Sequence, residues 1–150
     1  MTTREKQAVR EAKPQKLFTV EEANQSLPLV KAITADLVNL SREVIERRQR
    51  LAMLMSGRTR EAGNPYSDEL TAVEAEIEKD ALRLREYVQE LVDLGVEPKG
   101  AMEGLVDFPS LMDGRVVYLC WKLGEVEVMH WHEVDAGFAG RQDLAAGTIA

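Results

Sequence analysis

Both histidines of the chain stand in the stretch VMHWHEVDAGFAGR, residues 128–141, two positions apart around Trp131. At i and i+2 on a β-strand, the imidazoles of His130 and His132 point to the same side and can share one metal ion. A complete site needs a third ligand, and Glu21 and Glu22, at an acidic helix start, are the nearest supply if the sheet packs there. Two imidazoles alone are a weak signal, and neither HExxH nor a pair of CxxC motifs occurs. Packing is therefore the favoured reading of the pair.

A second candidate is the row Asp107, Cys120 and Glu127, where two carboxylates beside a thiol can bind a metal or tune a nucleophile. Cys120 reads more simply as a small core residue, and Glu127 as a solvated strand position. After the histidines, Gly137 and Gly140 permit a tight loop. Arg141 then either clamps an anion or ties the loop to an acidic side chain, and the structural use is favoured. The segment AGFAGR has neither the spacing nor the strand-to-helix context of a phosphate or dinucleotide loop.

The elements that carry these residues are short strands. GLVDFP (104–109), RVVYLCW (115–121) and VEVMHWH (126–132) are rich in β-branched and aromatic residues, and turn signals separate them. They predict a three-stranded antiparallel meander. If Asp113-Gly114 and Leu123-Gly124 are two-residue turns, Phe108 pairs with Leu119 and Trp121 with Val126. One face then carries Val106, Phe108, Val117, Leu119, Trp121, Val128, His130 and His132. The other carries Asp107, Tyr118, Cys120, Glu127, Met129 and Trp131, so no Cys–His pair is expected. A one-residue bulge would reassign the faces.

A sheet this small must pack on something, and the preceding chain supplies it. Thr19 and Glu22 form a capping box, with Phe18 and Ala23 placed as the staple. Pro28 predicts a bend near Ser26, after which a long helix begins. Val30, Ile33, Leu37, Leu40, Val44, Arg47, Leu51 and Leu54 then follow heptad spacing, resumed by Leu70, Val73, Ile77, Asp80, Leu84, Tyr87, Leu91 and Leu94. Two such runs predict an antiparallel, coiled-coil-like hairpin over 19–95, with Arg47 within reach of Asp80. Val38, Ile45 and Ala52 form a second stripe that two helices alone leave uncovered, which suggests a homodimer through the helices.

The fold class is thus α+β: a long helical hairpin with a β-meander and C-terminal loop (100–143) packed at its base. Residues 1–16, with five basic and two acidic side chains, read as a disordered arm before a single domain over 17–150. The chain has 150 residues and a net charge of -7, which argues against broad binding to nucleic acid or anionic membranes. One cysteine, no apolar leader and no stretch of membrane-spanning length predict a cytoplasmic protein.

Four segments in order, KLFTVEEANQSLPLV, GLVDFPS, GRVVYLCWKLGE and HWHEVDAGFAGRQ, resemble the landmarks of the uncharacterised bacterial domain-of-unknown-function family numbered 2203. The likeness runs from about Lys16 to Gln142. It implies a family and no reaction, substrate or cofactor. His132 fits the family's tryptophan–histidine pair with Trp131, whereas His130 departs from the pattern, which moves attention to His132. The polar residues for a site are then Glu22, Asp107, Glu125, His132 and Arg141, with Cys120 and Trp131 beside them. The leading expectation is a non-enzymatic hairpin protein acting through assembly or an unknown protein partner. The alternative is a divalent metal site centred on His132, with His130, Glu22, Asp107 and Glu125 as further ligands and hydrolysis as its chemistry.

Overall fold

A computed structural model describes residues 15–56 and 65–144. Nearly all of the expected N-terminal arm and the expected connection at 57–64 lie outside the described residues.

Helix α1 spans Val20–Met55. Its first turn is closed by the capping box: the Glu22 amide donates to the Thr19 hydroxyl and the Thr19 amide to the Glu22 carboxylate, each at 3.0 Å. The expected bend at Ser26 is absent, and Pro28 lies inside a continuous helix. A proline there removes one amide donor, at a cost of about 3 kcal/mol. Pro28 itself is exposed, while Ala23, Leu27 and Val30 on the inner side are buried. Packing of that inner face overrides the local preference. The turn is also anchored from outside, because the Asn24 side-chain oxygen accepts from the Val128 amide at 2.7 Å.

Helix α2, Pro65–Asp93, runs back along α1. At the seam the Arg47 guanidinium donates to Asp80, and Arg50 meets Glu69 at 3.5 Å. The seam is not uniformly covered. Val30, Leu37, Val44 and Leu91 are buried, whereas Leu51, Leu54, Val73 and Ile77, towards the tip, are only half-buried. Of the second stripe, Val38 is buried and Ile45 is exposed. Val38 is covered by the turn before the second strand, where Gly104 (φ 70°) approaches so closely that a Cβ would lie 3.3 Å from Val38 and 2.6 Å from Leu123. Among the described residues, no helix is long and apolar enough to cross a membrane.

The sheet has five antiparallel strands in sequential order: β1 (Glu97–Gly100), β2 (Leu105–Met112), β3 (Arg115–Lys122), β4 (His130–Glu133) and β5 (Gln142–Asp143). Three were expected. The added edge strands are short and carry Pro, Gly and charged residues, so alternation does not betray them. The β2–β3 hairpin has the expected register, with Phe108 opposite Leu119, and Asp113 (φ 51°) and Gly114 (φ 78°) fill its two-residue turn.

The β3–β4 connection overturns the other half of the expected register. Trp121 opposite Val126 would set His130 opposite Val117, but His130 lies opposite Cys120, a slip of three residues. An odd slip turns the strand over, so every side chain of β4 changes face. The expected turn at Leu123-Gly124 does form, closed by the Glu125 amide donating to the Lys122 carbonyl at 3.0 Å, but residues 125–129 then loop out before β4 begins. This connection is held by Glu125, whose carboxylate accepts from the Lys122 amide at 2.7 Å and whose carbonyl accepts from the Trp121 indole at 3.0 Å. It also inserts Val128 into the core.

One sheet face, with Val106, Phe108, Val117, Leu119, Trp121 and Trp131, packs on Leu27, Val30 and Leu91 of the helices. Phe18 closes this layer edge-to-face against Phe108, with ring centroids 5.2 Å apart. Its backbone is stitched to β2: the Phe18 amide donates to Pro109, and the Ser110 hydroxyl donates back to the Phe18 carbonyl, both at 2.6 Å.

Candidate metal centre

The reversal of β4 brings together residues that the expected register kept apart. Asp107 and Cys120 are direct partners across β2 and β3, and His132 enters from β4 on the same face. One donor atom from each lies within 4.8 Å of those of the others, and all three residues are buried. Among the described residues, no other group of three such donors converges in this way. The expectation that no histidine shares the face of Cys120 is corrected.

The hydrogen bonds of His132 define what its ring presents. Nδ1 lies 2.7 Å from the Glu133 carbonyl oxygen, which can only accept, so Nδ1 carries a proton. Nε2 then faces Asp107 Oδ1 at 3.0 Å in a site where the two side chains are 3% and 4% exposed. A ring nitrogen this close to a carboxylate shares a cation with it, either a proton or a metal ion. A ring N–H held by a backbone carbonyl is also the arrangement that orients metal-bound histidines.

Charge is costly here. Burial raises the Asp107 carboxyl above its ordinary value, although the hydrogen bond from His132 opposes the shift. Burial, followed by the negative charge of Asp107, pushes the Cys120 thiol up to about 12. The thiol is therefore protonated at neutral pH unless a cation binds there, and it is no free nucleophile.

Above the cluster lies a pocket of about 290 Å³. Asp107, Tyr118, Cys120 and His132 contribute to it from the sheet, and Leu105, Val134 and Phe138 add apolar wall. The Val134–Phe138 wall belongs to the loop after β4, where Gly137 takes φ 65°. Lys99 of β1 also lines the pocket, with Nζ 3.0 Å from Glu97 and 4.7 Å from the centre of the Tyr118 ring. Burial works against the Lys99 charge, but the hydrogen bond and charge of Glu97 outweigh it and raise the ammonium's value. The Tyr118 hydroxyl donates to the same Glu97 oxygen at 3.1 Å, and burial and that carboxylate raise its value too.

The other expected ligands lie elsewhere. Glu22 is committed to the capping box of α1, where hydrogen bonding to its carboxylate from the Thr19 amide, then from the Thr19 side chain, lowers its value. Glu125 receives two bonds from the Arg141 guanidinium at 2.8 and 2.9 Å. His130 joins that group: Arg141 donates to its Nδ1, and Nε2 lies 3.0 Å from Asp143. Both ring nitrogens of His130 are thus engaged. Trp131 is not at the site at all, because it points into the helix-facing core.

Tyr118, Lys99 and Glu97 were not singled out from the sequence. Strand parity with Cys120 does mark Tyr118, whereas EPKG offers no signal for the other two.

Comparisons with curated proteins and with solved structures yield no significant match. A family model does match, over residues 16–144, almost the entire described chain. The chain belongs to the family described as Uncharacterized conserved protein (DUF2203).

Proposed function

We propose that this protein binds a transition-metal ion through Asp107, Cys120 and His132, with a fourth position open to the pocket. The observation that carries the reading is the convergence of His132 Nε2, the Asp107 carboxylate and the Cys120 thiol within 4.8 Å of one another in a buried site. A mixed nitrogen, oxygen and sulfur set suits zinc and its neighbours rather than calcium or magnesium, which prefer oxygen alone. Three protein ligands and an open position are the pattern of catalytic sites, where the ion activates water or polarises a carbonyl. Hydrolysis is the chemistry such an ion would supply. A thiolate ligand also calls for a reducing compartment, in keeping with a cytoplasmic protein.

Metal analysis of protein purified without chelators or a histidine tag tests this. About one zinc or related ion per chain is expected, lost in Cys120→Ala and retained in His130→Ala. No stoichiometric metal, and no rise in melting temperature with zinc, manganese or iron, overturns it.

A second reading concerns the far end of the hairpin. Leu51, Leu54, Val73 and Ile77 are half-buried and Ile45 is exposed, a pattern that a homodimer through the helices would relieve. A strict monomer by light scattering at high concentration would end that reading.

A further inference from the structure

We infer that the pocket above the cluster takes a small monocarboxylate with an apolar body, its carboxylate at the open metal position. This rests on the metal reading. Three features of the pocket select that chemistry. First, a divalent ion bound by the Asp107 carboxylate and Cys120 thiolate carries no net charge, so the remaining cation facing a ligand is Lys99. An ammonium has three donors, and Glu97 engages one, leaving others for a ligand oxygen. Second, Glu97 is a negative charge beside that lysine, which disfavours dianions such as phosphate relative to a single carboxylate. Third, Val134 and Phe138 are 52% and 41% exposed although they line the pocket together with Leu105. An apolar ligand body against them would remove that surface from water. The Phe138 ring is held ready by the Arg141 guanidinium, 4.7 Å from its centre. At about 290 Å³ the space sits at the small end of ligand sites and suits a molecule of benzoate's size.

Cobalt(II)-loaded full-length protein supplies the test, because its thiolate charge-transfer and ligand-field bands report the metal and its open position separately. Benzoate should shift the ligand-field bands and bind roughly tenfold more tightly than acetate, the ring supplying the difference. Benzyl alcohol and inorganic phosphate should leave the bands unchanged. Lys99→Met should weaken benzoate about fivefold to tenfold without loss of cobalt, and Phe138→Ala should bring benzoate down to the level of acetate. No thiolate charge-transfer band overturns the metal reading and this inference with it. A normal cobalt band that benzoate does not perturb, or that phosphate perturbs more strongly, overturns this inference alone. Equal binding of benzoate and acetate also overturns it.

Discussion

His130 and His132 share a strand, a face and a tryptophan between them, yet they end in opposite chemical situations. His132 is sealed among Tyr118, Cys120 and Asp107, with one ring nitrogen spent on a backbone carbonyl and the other turned to a buried acid. His130, one strand pleat away, is clasped at the sheet rim by Arg141 on one nitrogen and Asp143 on the other. Its side chain is 22% exposed, and the neighbouring Asp143 side chain is 84% exposed. Ligand capacity therefore follows from where the ring nitrogens point and what they have already bound. Residue type and spacing alone did not separate the two.

The largest difference should appear on truncation. His132→Ala leaves Asp107 buried without its partner and should cost about 3 kcal/mol, along with the metal. His130→Ala removes contacts at a partly solvated rim and should cost under about 1 kcal/mol. Equal losses in urea titrations of the two variants would erase the distinction drawn between them.

Next in size is the response of metal binding to pH. The Cys120 thiol, pushed up to about 12, holds its proton across the neutral range, so a metal ion must displace that proton to bind. Each proton released strengthens apparent binding with rising pH, by about tenfold per unit for this thiol alone. Zinc affinity measured by competition from pH 6 to 8 should rise accordingly, and the slope should fall in Cys120→Ser. A flat profile would exclude the thiol from the site.

A smaller effect than the loss at His132 belongs to the rim. Glu125→Gln weakens the clasp on Arg141 between two partly buried side chains and should cost roughly 1 to 2 kcal/mol. Amide exchange should quicken across 134–141, the loop that carries Phe138, while metal stoichiometry stays unchanged. Loss of metal in Glu125→Gln would merge the rim and the buried cluster into one site.

The parts of the fold legible in the sequence are those governed by neighbours. Heptad spacing defined both helices and the Arg47–Asp80 contact, and Asp113-Gly114 defined a hairpin turn that needs two residues with positive φ. Long-range packing governs the rest. Pro28 reads locally as a boundary, but burial of Leu27 and Val30 carries the helix through it. Leu123-Gly124 makes the tight turn it reads as, but Val128 is then drawn into the core and tied to Asn24, 104 positions away in the chain. That single tertiary demand slips β4 by three residues. Asp107, Cys120 and His132 were all named from the sequence, and this slip is what concealed that they meet.

The stitch between Phe18 and Ser110 has a consequence for how the chain can lengthen. It joins positions 92 residues apart, and the hairpin is the loop it closes. Closure entropy grows only with the logarithm of loop length, at about 0.6 kcal/mol per doubling. One further heptad in each helix would therefore add on the order of 0.1 kcal/mol to the closure. The hairpin's reach can change by whole heptads while the sheet and its buried polar face stay where they are.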